Sequence, residues 1–128
     1  MKTLLNRKNA LSVIAAIVIV PLVWWTSAPV RGHLMARYDI ARGRYRILVY
    51  GAIPGRSPYY KTLLHDRYGI EVEKIAGCVD STSLVFYADA YNRVSVAAAN
   101  RKFGHDVFKE CSDEGVKRWQ EGYKAELQ

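Results

Sequence analysis

The chain has 128 residues, half of them apolar and 24% charged, with a formal net charge of +7. That composition excludes a disordered or collagen-like chain and leaves room for one compact domain. The charge is distributed unevenly: residues 1–30 carry +3, residues 31–61 carry +6 and residues 62–128 carry −2. Basicity crowded beside one segment suits anionic lipid head groups better than a DNA or RNA face, so no nucleic-acid partner is expected.

Residues 1–9 form a short basic tail with Lys2, Arg7 and Lys8. Residues 10–30 follow without a single charge, and as a helix they span about 31 Å, enough to cross a hydrocarbon core. Trp24 and Trp25 stand where an aromatic belt at the far interface is expected. Pro21 predicts a kink that a membrane tolerates better than water does. Two readings of the segment remain, a retained transmembrane anchor and a cleaved signal that would release a secreted protein. The small residues Thr26, Ser27 and Ala28 fit a cleavage site, but Pro29 would follow the cut directly and restrict the scissile backbone, which favours the anchor. The basic tail ahead of the segment argues that the rest of the chain is translocated, so a periplasmic or extracytoplasmic domain is expected. The arginines after the segment argue the opposite way.

Residues 31–43 read as a basic juxtamembrane connector, helical in part and stopped at Gly43. Arg31, Arg37 and Arg42, with Arg44 and Arg46 just beyond, are the candidates for contact with lipid head groups. The small α+β domain is expected over residues 44–128. Tyr45-Arg-Ile-Leu-Val-Tyr50 is aromatic and β-branched, a strand closed by Gly51. Ser57 as N-cap, Pro58 at the first helical position and Gly69 past the end predict a helix over 58–68. Residues 70–76 alternate in a second strand, which makes a short two-stranded βαβ unit. Two C-terminal helices complete the domain, one over 82–103 started by Asp80 or Ser81 and stopped by Gly104, the other begun by Asp106. The fold class is therefore α+β, with an N-terminal transmembrane helix ahead of one small domain.

Three constellations carry candidate chemistry. Cys78 and Cys111 are too far apart for a CxxC redox motif, and with three scattered histidines they lack zinc-site spacing. In a translocated domain they are disulfide candidates. Gly51, Gly55, Arg56 and Ser57 occupy a strand-to-helix loop, a place where backbone amides hold anions. However, the glycine spacing is short, Arg56 stands where a P-loop has lysine, and Pro54 removes a donor. No cofactor or metal is expected. The reading that follows is a single-pass membrane protein whose domain serves as a small interaction or structural module, its partners being the bilayer and a protein at the membrane. The alternative is a membrane-associated enzyme or anion-binding protein using Cys78 or Arg56.

Overall fold

The computed structural model describes residues 7–51, 58–77 and 81–127. Over these residues it is helix-dominated, with five helices and a two-stranded parallel sheet: α1 (Arg7–Thr26), α2 (Ala28–Ala41), β1 (Tyr45–Tyr50), α3 (Pro58–Tyr68), β2 (Ile70–Ala76), α4 (Thr82–Phe103) and α5 (Val107–Glu126).

The apolar helix α1 has 20 residues, about 30 Å of rise and the thickness of a hydrocarbon core. Pro21 lies inside it. None of residues 9–26 is buried by the rest of the chain, and each of the Leu, Ile, Val and Trp side chains from Leu11 to Trp25 is more than half exposed. A helix of this length and apolarity is long enough to cross a bilayer.

β1 and β2 pair in parallel from Tyr45 opposite Ile70 to Tyr50 opposite Ala76, joined through α3 as the sequence expects. A register shift between Val49 and Tyr50 leaves Ile75 as the extra residue on β2. It turns Ile75 toward the same side as Leu48 and Tyr50. The sheet therefore separates two cores. On one face Ile47 and Val49 of β1 and Ile70 and Val72 of β2 meet Tyr60, Leu63 and Leu64 of α3 and Val107 and Cys111 of α5. On the other, Leu48 meets Ala36 of α2 and Ala88 and Tyr91 of α4.

Local signals account for the helix limits. The Ser81 side chain accepts from the Leu84 amide, and Asp106 accepts from the Lys109 amide, each satisfying a free donor of a first turn. Gly104 ends α4 with φ 78°, a left-handed conformation that an L side chain resists. Ser57, the N-cap expected for α3, lies outside the described residues, as does Asp80.

Two departures from the sequence reading have clear causes. The apolar spacing of α4 puts Leu84, Tyr87, Tyr91, Val94 and Ala98 toward the core, but the buried face is Ala88, Tyr91, Ser95 and Ala99, with only Tyr91 in common, because this helix is wedged between α2 and the edge of β1 and needs small residues there. On α5 the buried residues end at Gly115. Trp119, which the sequence places with Val107, Phe108 and Cys111 on one broad apolar face, is 49% exposed, since the helix runs on past the elements that cover its first half.

Candidate functional site

The end of the domain next to α1 is built on α2. A single residue, Ser27, separates α1 from α2, and its backbone is close to helical at φ −82° and ψ 1°. Hydrogen bonds bridge the break, from the Ser27 amide to the Val23 carbonyl and from the Arg31 amide to the Ser27 carbonyl, both at 2.9 Å. Pro29 has no amide to donate, which explains why the ladder is interrupted here. Arg31 folds back over the break. Its Nη2 donates to the Trp24 carbonyl at 3.1 Å, and its guanidinium stacks 4.2 Å from the Trp24 ring centroid. The apolar helix α1 thus passes into α2 through a short, braced joint.

The residues read as a connector are a helix seated on α4. Ala28, Gly32, Ala36 and Asp39 are its buried positions, spaced by four, four and three so that they form one face. Small residues there let two backbones approach closely. A Cβ at Gly32 would stand 2.2 Å from the Tyr87 carbonyl oxygen.

Asp39 anchors a polar network between this helix and the sheet. Its side chain is 1% exposed. Tyr91 donates to Oδ2 at 2.7 Å, and Arg46 donates to the same oxygen through Nε at 2.9 Å and Nη2 at 2.7 Å. Arg46 also reaches Glu73 of β2 at 2.7 Å, and Arg44 stands 3.5 Å from Oδ1. One carboxylate in this way ties α2, β1 and α4 together, with β2 joined through Arg46. Burial alone would push the Asp39 carboxyl up, but the hydrogen bonds from Tyr91 and Arg46 and the charges of Arg46 and Arg44 outweigh it and hold the group below its ordinary value. A depressed folded-state pKa contributes stability that is present above the unfolded value of about 3.9 and is lost as pH falls through the folded one. Melting curves taken from about pH 5 down to pH 2 should therefore show a steep loss in the wild type and a shallower one in Asp39→Asn. Equal slopes would assign the acid sensitivity to another group.

The other edge of β1 is occupied by α4. The Leu48 amide donates to Asn92 Oδ1 at 2.8 Å, Asn92 Nδ2 donates to the Leu48 carbonyl at 2.7 Å, and Ser95 Oγ donates to the Arg46 carbonyl at 2.5 Å. Side chains stand here where a third strand would otherwise pair.

The five arginines proposed for lipid contact fall into separate settings. Arg46 is only 22% exposed and is engaged by Asp39, Tyr91 and Glu73, and Arg44 leans toward Asp39. Arg31 braces Trp24, and Arg42 stacks 4.5 Å from the Tyr38 ring centroid. Arg37 points elsewhere. With His33 it borders a groove of about 540 Å³ between α2 and α4, which Arg93 and Arg101 border from the α4 side. No acidic side chain lines this groove. None of these four side chains is in an ion pair or hydrogen bond among the described residues. A larger groove of about 670 Å³ lies between α3 and β2, but Lys61, His65 and Lys74 face Asp66, Glu71 and Glu73 there, so its charges compensate one another. The sequence contained a signal for the first groove, since Arg93 and Arg101 are eight apart on one helix with only alanine, valine, serine and asparagine between them.

Of the remaining candidates, Gly51 ends β1 with φ 67°, while Gly55, Arg56 and Ser57 lie outside the described residues. Cys111 is buried and has no disulfide partner among the described residues. Cys78 itself lies outside the described residues. The charges that act on Cys111 are those of Glu110, Arg67 and Glu114, where α5 meets the end of α3. Burial, with the charge of Glu110, pushes the Cys111 thiol up. A Cys78→Ser chain should accordingly take up no thiol reagent while folded and one equivalent after denaturation. Fast labelling of the folded protein would contradict the buried placement. Among the described residues no three His, Cys, Asp or Glu side chains gather as a metal-ligand group.

The chain matches no family model, and no curated protein or solved structure is similar to it.

Proposed function

We propose that this chain is a single-pass membrane protein whose small α+β domain is an interaction module held at a fixed attitude to the bilayer, on its extracytoplasmic side. The observation that supports it is the continuity of α1 with α2. An exposed apolar helix of bilayer length is joined by one braced residue to a helix that is itself seated in the domain. A flexible tether would let the domain tumble, whereas this joint gives it one surface toward the membrane and another away from it. The short basic tail before the first apolar segment supports translocation of the domain. The cysteines lend that orientation nothing, because Cys111 is a free thiol.

Alkaline extraction and paired reporter fusions at Gln128 test the reading. The full chain should stay in the membrane fraction at high pH, and a phosphatase that works only outside the cytoplasm should be active. Release into the soluble fraction would overturn the anchor. Fluorescence from a reporter that matures only in the cytoplasm would reverse the orientation.

A further inference from the structure

We infer that the basic groove between α2 and α4 is the docking site for an acidic helical segment of a partner protein, an inference resting on the reading of the chain as an anchored interaction module. Charge is the first reason. Arg37, Arg93, Arg101 and His33 converge on one groove without an acid among its lining residues, and a polyanionic partner would supply the missing counter-charge.

Shape is the second reason. The floor between the cations is Ile40 and Ala41 of α2 with Val94, Ala97 and Ala98 of α4, apolar and mostly small. Such a surface admits the close approach of another helix, as Gly32 already does for α2 and α4. Arg93 and Arg101 are eight residues apart, a rise of about 12 Å along α4. Carboxylates seven or eight residues apart on a docked helix have nearly the same spacing, and one between them would face Arg37.

Height above the bilayer decides against lipid as the occupant. His33 is seven residues beyond Thr26 and Ala41 is fifteen beyond it, so along the helix the groove runs from about 10 to about 22 Å past the end of α1. A head-group layer is only about 5–7 Å thick on each side. A second copy of this chain is a poor occupant too. Of the five acids on its most acidic helix three are already paired, Glu110 and Glu114 with Arg67, His105 and Arg118, and Asp113 with Lys109, and the other two, Glu121 and Glu126, are five residues apart and do not share a helical face.

The test uses the full chain in nanodiscs containing anionic lipid, with a photo-crosslinking phenylalanine derivative in place of the exposed Ala97. The probe is a helical alanine-rich peptide with glutamates at positions i, i+4 and i+8, beside a matched glutamine peptide. Illumination should join the glutamate peptide to residue 97 and leave the glutamine peptide free. Arg93→Glu or Arg101→Glu should lower the yield at least about tenfold without changing the melting temperature. A lipid adduct in place of the peptide, equal yields with both peptides, no adduct at all, or insensitivity to the arginine changes would each overturn the inference. The same assay in detergent micelles asks about the groove alone, so a failure of α1 to hold the chain in a bilayer is read separately by alkaline extraction.

Discussion

Gly32→Ala should unseat α2 from α4 and cost the domain about 3 kcal/mol, at the upper end of what overpacking a tight contact does. The added Cβ would stand 2.2 Å from the Tyr87 carbonyl oxygen and 3.2 Å from the Tyr91 amide nitrogen. Both atoms are backbone, and neither can rotate out of the way as a side chain could. The two helices must separate, and the contacts of Ala28 and Ala36 loosen with them. In a domain of this size the loss corresponds to a fall of roughly ten degrees or more in melting temperature. Gly122→Ala is the control, because nothing lies within 4 Å of a Cβ there. It should gain up to about 1 kcal/mol from helix propensity. Melting curves in detergent read both changes, and a Gly32→Ala protein as stable as the wild type would mean that α2 is not packed on α4.

Arg46→Met carries the largest expected penalty, about 3–5 kcal/mol, because it strands a buried carboxylate. Asp39, 1% exposed, would keep only Tyr91 and a 3.5 Å approach from Arg44. Converting the whole group to apolar residues, with Asp39→Leu, Arg46→Met and Tyr91→Phe together, should restore most of the loss, since no buried charge then remains uncompensated. Denaturant unfolding of the single and triple variants provides the comparison. If the triple variant were no more stable than Arg46→Met, the network would be holding the fold together by attraction rather than only satisfying its own members.

The elements that could be read from sequence were those with local causes. Residues 10–30 announce themselves by length and lack of charge. The start of α3 at Pro58 and its stop before Gly69, the stop of α4 at Gly104 and the start of α5 after Asp106 each rest on one residue acting on its nearest neighbours. Asp39 illustrates the limit. In sequence it is a lone acid among seven basic residues and looks like a solvated exception, yet it is buried and accepts three hydrogen bonds from Arg46 and Tyr91. The pattern of Ala28, Gly32, Ala36 and Asp39 on one helical face could have suggested a packed helix with a buried acid. Its partner Tyr91 is 52 residues away, and no local signal names it. The cysteines show a related limit. Compartment and count argue that two thiols could pair, but whether they meet depends on where β2 and α5 end, which only the folded chain decides.

The Asn92 clamp on Leu48 bears on how this protein could assemble. A parallel sheet of two strands offers two templates for adding a third, and exposed templates are how chains polymerise. Because α4 occupies the β1 side, strand addition among the described residues can proceed only at β2. Two molecules meeting through that edge would use up the growing end of each, and the association would stop at a pair. The sheet is polymerisation-incompetent by construction, a property that would matter for a chain held in a membrane as proposed, where local concentrations are high and neighbours share an orientation.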